Sequence, residues 1–248
     1  MSPDAYEVLP GALLISDAHY CADRPQLLSL LNAIDEGSVA VPQLIMMGDI
    51  FDLLFGEIRI THRMNADAVA ALQRISRRIP VLYLEGNHDY NLSALFPEAT
   101  VVPLSRQPYA CRCGTLSLQL AHGDFNQPLG YRVYTALIRN RVVLHLLGFV
   151  NRLGGNGIIK KLEAHLRRKN HCHAMVGFEA YVKRHLSALT FKATDVFIEG
   201  HYHQGKAFDI DGMRYFNPSA FACNLHYAIV TYDRNGFTLK EQAWEGGE

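Results

Sequence analysis

Acidic, amide and imidazole side chains recur in five short motifs. In chain order the motifs are Asp17-Ala18-His19, Gly48-Asp49-Ile50-Phe51-Asp52, Gly86-Asn87-His88-Asp89, His122-Gly123-Asp124 and Gly200-His201-Tyr202-His203. Each motif follows a short apolar run, and such a position is the carboxyl end of a strand, where open α/β sheets form their sites. On extended backbone, residues two apart point the same way, so the paired side chains of the first and last motifs can reach one centre together.

These side chains are donors suited to divalent metal ions. Two aspartates, one asparagine and four histidines form the candidate ligand set: Asp17, His19, Asp49, Asn87, His122, His201 and His203. Oxygen and imidazole donors without a thiolate favour Mn, Fe or Zn over a thiolate-rich structural zinc site. Seven ligands are too many for one tetrahedral ion and enough for two ions, if one carboxylate bridges them. Two ions about 3.5–4 Å apart are a common device for attack of water on phosphorus. The pattern therefore predicts a dinuclear phosphoester hydrolase that uses Mn, Fe or Zn.

The elements that should position these motifs alternate between strand and helix over the first part of the chain. Short apolar runs at 12–15, 44–47 and 81–84 predict strands that are buried on both faces. Helical spacing of apolar residues follows Pro25 and recurs over 64–78, which predicts helices between the strands. Alternation of this kind indicates an α/β layered domain.

The remainder of the core is predicted to be richer in antiparallel strands. Short strands separated by Gly and Pro are predicted at 101–102, 109–113 and 116–121. More strands follow between 196 and 240, with hairpin turns at Asp211-Gly212 and Asn235-Gly236. We therefore expect these strands to form a second sheet, and the fold to be a two-sheet α/β sandwich.

A basic segment, residues 126–186, lies between these two strand-rich portions. It holds 11 lysine and arginine side chains and two glutamates, whereas the whole chain holds 24 basic and 24 acidic side chains. Its apolar residues recur every three to four positions, which predicts helices. A merely solvated helix face would mix both signs of charge, so the bias favours contact with an anionic partner or a membrane surface. We predict one core domain, residues 1–125 and 187–248, that carries this helical insertion.

The five motifs, in this order and at this spread, resemble those of the calcineurin-like metallophosphoesterases. The resemblance runs from Asp17 to His203, and it implies an α/β/β/α sandwich. It also implies that Asp49 bridges two ions. The first ion would be held by Asp17, His19, Asp49 and His203, and the second by Asp49, Asn87, His122 and His201. His88 would protonate the leaving oxygen or stabilise the phosphorane. The residues expected to orient ligating histidines are Asp52, Asp89 and Asp124.

The insertion and its surroundings resemble more narrowly the UDP-2,3-diacylglucosamine hydrolases of lipid A synthesis. The matching stretches are 51–56, 131–134 and Arg139-Asn140. The resemblance implies a lid that covers the metal site, receives two acyl chains and lies on the cytoplasmic face of the inner membrane. Hydrolysis of the pyrophosphate bond would give UMP and 2,3-diacylglucosamine 1-phosphate. The lid residues that would contact this amphiphilic nucleotide-sugar are Tyr131, Arg132, Tyr134, Arg139, Arg167, Arg168 and Lys169.

The motifs and the composition also bear on three other classes of function. A soluble metal-dependent phosphodiesterase or phosphatase for nucleotides or other small phosphoesters stays open. The UDP-2,3-diacylglucosamine hydrolases usually have arginine at the position of His88, whereas generic phosphoesterases have histidine there. A nuclease fits the chemistry, but few aromatic residues accompany the basic ones as a stacking platform would require, so no nucleic-acid partner is expected. A scaffold without metals is disfavoured because all seven candidate ligands are present.

The cysteines and the remaining histidines give weaker indications. Five cysteines, an odd number with no paired framework, favour free thiols in a reducing, cytoplasmic compartment. The first residues lack the basic start of a signal peptide. The apolar run Val142–Val150 has nine residues, and a membrane-spanning helix needs roughly 20, so peripheral binding is expected. No spacing ties the insertion's remaining histidines to the motifs, and they are predicted to be solvated: His165, His171, His173 and His185.

Overall fold

The structure of the protein is a computed structural model that describes residues 5–125, 129–187, 189, 194–234 and 236–246. In chain order the strands are β1 (Tyr6–Glu7), β2 (Leu13–Ile15), β3 (Leu44–Met46), β4 (Leu54–Phe55), β5 (Val81–Leu84), β6 (Asp89–Tyr90), β7 (Thr100–Val102), β8 (Tyr109–Cys113), β9 (Leu116–Ala121), β10 (Val196–Glu199), β11 (Lys206–Ile210), β12 (Met213–Asn217), β13 (His226–Asp233) and β14 (Gly236–Ala243). The helices are α1 (Gln26–Glu36), α2 (Arg59–Met64), α3 (Ala66–Ser76), α4 (Leu129–Ile138), α5 (Arg141–Leu153), α6 (Gly157–Leu166), α7 (Phe178–Ser187) and α8 (Phe221–Asn224). A 3₁₀ turn covers Leu104–Arg106.

The described strands form two six-stranded sheets and one short pair, β4 with β6. The first sheet has the order β14-β13-β2-β3-β5-β7, in which β2, β3, β5 and β7 are parallel. The second has the order β1-β8-β9-β10-β12-β11, with β9, β10 and β12 parallel. The predicted turn at Asp211-Gly212 joins β11 to β12, and both residues have positive φ, 50° and 85°. Residue 235 of the other predicted turn lies outside the described residues.

The layers follow from which face each strand buries. Leu14, Ile45 and Leu82 from the first sheet pack against Leu118 and Ile198 from the second. On the outer face of the first sheet, α1 and α3 cover Leu13, Leu44 and their neighbours. On the outer face of the second sheet, Phe178 and Val182 of α7 pack against Phe197 and Tyr215. The predicted two-sheet α/β/β/α sandwich is confirmed.

One detail of the predicted fold was wrong. Residues 101–102 and the last two strands were expected in the second sheet, but β7 pairs with β5 and β13 pairs with β2. β13 thereby covers the edge of β2, which would otherwise expose unpaired backbone groups. The helix predicted over 64–78 is present as α3. It is separated from the preceding α2 at Asn65, whose buried side chain donates to the carbonyls of Leu53 and Thr61, both at 2.8 Å. Such bonds compete with helix continuation.

The basic segment is helical, as its periodicity predicted, and contacts the core through apolar side chains. Leu144, Ile159 and Leu166 pack against Phe55 and Tyr90. Asn140 caps α5, because its side chain accepts from the backbone N–H groups of residues 142 and 143. No described helix alone is long and apolar enough to cross a membrane, and α5 and α6 meet that criterion only when joined across a 101° bend.

All five cysteines were expected to be free thiols, and the structure contradicts this for two of them. Cys172, beyond α6, forms a disulfide with Cys223 of α8. Cys21, Cys111 and Cys113 are free and buried, as expected of ordinary thiols. No local pattern predicts this pair, because its members lie 51 residues apart and become neighbours only in the fold.

Candidate metal centre

The loops that follow five strands bring the motifs together at one edge of the two sheets. The described residues contain three groups of His and Asp side chains whose potential ligand atoms lie within 4.8 Å of one another. The groups are Asp17, His19 and His203; Asp49, His122 and His201; and His19, Asp52 and His88. The first two groups divide the candidate ligands in the same way as the predicted ligand sets of the two ions.

The first group is built from the loops after β2 and β10. Nε2 of His203 lies 3.1 Å from Oδ1 of Asp17. Both carboxylate oxygens of Asp17 accept from the backbone N–H of His201, at 3.0 and 3.2 Å. Asp17 is fully buried and His19 is 1% exposed. This carboxylate is therefore fixed by backbone contacts with the last motif, 184 residues away in sequence.

The second group is built from the loops after β3, β9 and β10, with Asn87 beside it. Nε2 of His122 lies 3.4 Å from Oδ2 of Asp49 and 3.4 Å from Oδ1 of Asn87. Nδ1 of His201 lies 3.2 Å from the same His122 nitrogen. Nδ1 of His122 faces the carbonyl oxygen of Met47 at 3.0 Å, which leaves Nε2 as the nitrogen available to a metal ion. Four of the candidate ligands thus converge around one point.

Backbone strain is concentrated at the candidate ligands. Five of them have positive φ: Asp17 at 50°, His19 at 44°, Asp49 at 49°, His201 at 66° and His203 at 59°. Residues other than glycine rarely adopt this conformation, and each such residue costs roughly 1–3 kcal/mol unless its surroundings hold it in place. Strain of this kind collects at functional sites, which agrees with the assignment made from the motifs.

Two glycines allow the loops to approach each other. Gly48 has φ of 89°, and a Cβ there would lie 2.6 Å from Nδ1 of His122. A Cβ on Gly86 would lie 2.2 Å from Oδ1 of Asp49. A side chain at either position would displace a candidate ligand, so both glycines are required by close approach.

The three aspartates expected to support the ligands have different partners. Oδ1 of Asp52 lies 3.1 Å from Nδ1 of His19, and its other oxygen accepts from Arg24. Asp89 instead accepts from the backbone N–H groups of the Asp49 loop and from the Tyr83 hydroxyl. Asp52 is thus placed to orient a ligand histidine, whereas Asp89 holds the backbone that carries Asp49. Burial, followed by repulsion from Asp49, raises the pKa of Asp89 to about 7.

Asp124, the third of these aspartates, binds the basic segment. Its Oδ2 accepts from Arg139 at 3.1 Å, and the same guanidinium nitrogen donates to the Gly86 carbonyl at 2.9 Å. Oδ1 of Asp124 is buried without a described hydrogen-bond partner. Burial raises the pKa of Asp124, although His122 and Arg139 oppose the rise.

Electrostatic coupling keeps the two central carboxylates ionised in the metal-free protein. Burial favours the neutral form of each, but the surrounding histidines together outweigh it, chiefly His203 with His122 at Asp17 and His122 with His88 and His19 at Asp49, so the pKa of both carboxyls is lowered. The same pairs raise the pKa of His122 and His203 although burial alone would lower it. Burial lowers the pKa of His201 to about 4. The site therefore holds negative charge, matched partly by protons that a cation can replace.

The side chains fit divalent ions. Nε2 of His19 is a buried nitrogen with no described hydrogen-bond partner, while its Nδ1 faces Asp52. A metal ion would satisfy such an atom, and a carboxylate on the other ring nitrogen is the usual support for a metal-binding histidine. The ligand atoms are oxygen and nitrogen throughout, which suits Mn, Fe or Zn.

His88 lies beside the second group. Its Nε2 is 4.0 Å from Oδ2 of Asp49, and its Nδ1 faces the Asp52 carbonyl oxygen at 2.9 Å. Its backbone N–H donates to Oδ1 of Asp49 at 2.8 Å. With Nδ1 occupied by the carbonyl, Nε2 is the nitrogen that faces the site.

Among the predicted lid residues whose side chains the structure describes, only Arg139 reaches this centre. Arg139 reaches the Gly86 and His122 loops, as described above. Tyr134 is 56% exposed. Arg167 pairs with Glu163 and Asp23, and Arg168 and Lys169 are exposed. The side chains of Tyr131 and Arg132 lie outside the described residues.

The prediction of solvated side chains was wrong for His171, which is buried, and for His185, which is half-buried. His171 is 7% exposed, and its ring centroid lies 4.1 Å from that of His19. Nε2 of His185 lies 3.2 Å from Oε1 of Glu199, a buried carboxylate directly before the last motif. His165 and His173 are exposed, as predicted. No local spacing distinguishes His171 from His173, because the path of the loop decides which one turns inward.

A two-sheet α/β sandwich with paired Asp and His groups at its strand ends defines a metal-dependent phosphoester hydrolase. The chain belongs to the calcineurin-like phosphoesterase family, whose model matches residues 12–205. The predicted family resemblance and the predicted class of enzyme are confirmed.

Several curated relatives of this chain are named UDP-2,3-diacylglucosamine hydrolase. A UDP-2,3-diacylglucosamine hydrolase of Aeromonas salmonicida is 30% identical over 127 residues, 49% of this chain and 49% of that one. Those of Shewanella pealeana and Pseudomonas putida F1 are 24% and 28% identical, over 77% and 62% of this chain and 82% and 66% of theirs. The chain thus spans about half the length of the Aeromonas relative. Among solved structures, the phosphoesterase Yfce from E. coli is similar at a TM-score of 0.47 and 14% identity, over 94% of this chain and 98% of that one.

Proposed function

We propose that this phosphoester hydrolase cleaves the pyrophosphate bond of UDP-2,3-diacylglucosamine, giving UMP and 2,3-diacylglucosamine 1-phosphate in lipid A biosynthesis. The observation that carries the proposal is a centre rich in His and Asp that Arg139 joins to a basic helical segment with exposed apolar side chains. Relatives named UDP-2,3-diacylglucosamine hydrolase support the same substrate.

The ligand assignment is part of the proposal. Asp49 would bridge two ions. Asp17, His19 and His203 would complete the first site, and Asn87, His122 and His201 the second. The groups of side chains whose potential ligand atoms lie within 4.8 Å of one another separate these residues in the same way, which supports the assignment. Mn is the metal we propose, with Fe and Zn as alternatives, because the set combines carboxylate, amide and imidazole donors.

Bound ions would supply a water of lowered pKa and would neutralise charge on the phosphoryl oxygens. The chain's own residues do the rest. Asp52 holds His19 with its ligand nitrogen turned toward the site, and Asp89 fixes the backbone of the Asp49 loop. Nε2 of His88 faces Asp49 and would give a proton to the leaving oxygen or a hydrogen bond to the phosphorane.

The basic segment would provide substrate specificity. Several apolar side chains of α5 are exposed, including Val142 at 76%, Leu146 at 63% and Phe149 at 56%. Burying an acyl chain on such a surface contributes about 0.8 kcal/mol per methylene. Tyr131, Arg132, Tyr134 and Arg139 would contact the substrate, as would Arg167, Arg168 and Lys169. We propose residues 126–186 as this lid, carried by a core of 1–125 and 187–248.

The same surface supports peripheral binding to the cytoplasmic face of the inner membrane. Exposed apolar side chains provide area for insertion between lipids, and the excess of lysine and arginine provides attraction to anionic headgroups.

The decisive experiment compares three substrates with the Mn-loaded protein: UDP-2,3-diacylglucosamine, an unacylated UDP-sugar and bis-p-nitrophenyl phosphate. We expect the highest kcat/KM on the diacylated substrate and UMP as its nucleotide product. The Asp49→Asn variant, purified in parallel, controls for contaminating hydrolases.

A soluble phosphodiesterase for nucleotides or other small phosphoesters is the second candidate. The position of His88 favours this candidate. Its imidazole faces Asp49, where it could act on any phosphoester, with or without acyl chains. Equal kcat/KM on acylated and unacylated substrates would replace the first candidate with this one.

A further inference from the structure

The loop between α6 and α7 is fixed to the core close to the candidate metal centre. Its Cys172 is bonded to Cys223 of α8. The first turn of α8 in turn supports the Asp17 loop, because the N–H groups of Phe221 and Ala222 donate to the carbonyls of Ser16 and Asp17, at 2.9 and 3.1 Å. The disulfide therefore ties the loop to the turn that holds a candidate ligand.

His171, the residue before this disulfide, reaches the centre with its backbone. Its carbonyl oxygen accepts from Nδ1 of His203 at 2.5 Å. Nε2 of His203 is thereby left as the ligand atom, 3.1 Å from Oδ1 of Asp17. A carbonyl in this position fixes both the tautomer and the orientation of a metal-binding histidine.

The side chain of His171 reaches the centre as well. Its ring centroid lies 4.1 Å from that of His19, 6.3 Å from that of His203 and 6.4 Å from that of His88. Its Nε2 is buried and has no described hydrogen-bond partner. The ring nitrogens of His171 belong to none of the 4.8 Å groups of potential ligand atoms among the described residues. This nitrogen is thus an unpartnered polar atom on a ring that lies beside the candidate ligands His19 and His203.

We propose that His171 is a further functional residue of this site and that the Cys172–Cys223 disulfide holds it in place. Its carbonyl positions His203 for the ion shared with Asp17 and His19, and its imidazole binds a phosphoryl oxygen of the substrate. The inference rests on the proposed phosphoesterase site and does not depend on which phosphoester is the substrate.

The proposal makes the centre sensitive to thiol reductants. A dithiol that attacks the Cys172–Cys223 bond transfers two electrons, so that the S–S bond breaks, two cysteine thiols form and the dithiol becomes a disulfide. The loop then loses its covalent link to α8, and the His171 carbonyl is no longer held against His203.

The positioning role is tested by titrating Mn²⁺ into metal-free wild type and a Cys172→Ser/Cys223→Ser variant. We expect one of two ions to bind about 10–100-fold more weakly to the variant, the usual effect of losing a residue that supports a ligand. The other ion should bind as in the wild type, with an unchanged circular dichroism spectrum. Wild type that has been reduced and freed of reagent under argon should match the variant, and the variant should not respond to reduction. Unchanged affinities, or an equal loss of both ions, would overturn the role of the disulfide.

The imidazole is tested by binding of inorganic phosphate to the Mn-loaded protein, without turnover. His171→Ala should keep both ions, because the carbonyl remains, and should bind phosphate about tenfold more weakly or worse, as for loss of a hydrogen bond to a charged group. His171→Gln should restore part of the affinity. His173→Ala, at an exposed residue of the same loop, is the matched control and should be unchanged. Wild-type phosphate affinity in His171→Ala, or loss of an ion from it, would overturn the assignment. Neither titration uses a UDP-sugar, so failure of the proposed substrate would leave both results interpretable.

Discussion

Nη2 of Arg139 lies 3.1 Å from Oδ2 of Asp124 and 2.9 Å from the carbonyl oxygen of Gly86. Arg139 directly follows α4, whereas the other two residues belong to motifs that carry candidate ligands. The guanidinium also lies 5.1 Å from the ring centroid of Tyr90. The Arg139 and Asp124 side chains are 13% and 1% exposed. A buried ion pair thus links the basic segment to the loops of the centre.

Breaking this pair should be costly. Arg139→Met leaves the Asp124 carboxylate buried without its cation, and we expect the free energy of unfolding to fall by roughly 3–5 kcal/mol. The measurement is urea denaturation of the metal-free protein. Lys183→Met, which removes an exposed pair with Glu179, is the control and should cost less than about 1 kcal/mol. Equal small losses would mean that Arg139 and Asp124 do not interact in solution.

Removal of the proposed bridge should lower the number of bound ions. Asp49 is 2% exposed, and His122 and His88 lie around its carboxylate. We expect Asp49→Asn to lose most activity and at least one ion, because an amide cannot neutralise two cations. Metal content after dialysis measures this, with the exposed Asp67→Asn as the control. Two tightly bound ions with near-normal turnover in Asp49→Asn would exclude the bridging role.

His88 should affect the rate without affecting the ions. Its Nε2 faces Asp49 at 4.0 Å but is proposed as a proton donor and not as a ligand. His88→Ala should therefore keep both ions and lose about 10²–10⁴-fold in kcat, the usual contribution of a positioned acid or base. Steady-state rates and metal content are measured on one preparation. A variant that loses an ion would show that His88 is a ligand.

Metal affinity should fall as the pH is lowered. Burial opposes charge on His122 and His203, but Asp49 and Asp17 outweigh it and raise the pKa of both imidazoles, so the metal-free site holds protons. These protons must leave when an ion binds. For each proton that the ion must displace, the affinity for Mn²⁺ should fall about tenfold, or about 1.4 kcal/mol, with each pH unit below the raised pKa values. Calorimetric titration of Mn²⁺ in buffers of different ionisation enthalpy measures the release. Affinity that stays constant on acidification, with no proton release, would contradict a histidine-rich centre.

The exposed apolar face of α5 should decide which substrate is used. Leu146, Leu147 and Phe149 are 63%, 42% and 56% exposed. Replacing all three with serine should strongly reduce kcat/KM on a diacylated substrate, since each methylene left in water forfeits about 0.8 kcal/mol. Hydrolysis of bis-p-nitrophenyl phosphate should persist, because the proposed ligands lie outside α5. Equal loss on both substrates, with ions bound, would mean that the segment helps to assemble the centre.

The sequence by itself predicted the chemistry and the class of fold. Short apolar runs at 44–47 and 81–84 predict strands because a strand buried on both faces has no polar side. A motif directly after such a run must lie at a strand end, so Asp49 and Asn87 could be placed in one site without coordinates. These inferences rest on neighbours in the chain, and local periodicity carries that information.

Only the tertiary structure decided what depends on residues far apart in sequence. The positive φ values at Asp17 and His203 follow from packing between loops that the chain pattern does not record. The pairing of β13 with β2, the Cys172–Cys223 bond and the inward turn of His171 likewise join distant segments. In each case the interaction depends on segments that become neighbours only in the assembled layers. The motifs thus determined which atoms could bind a metal, and the fold decided which other residues surround them.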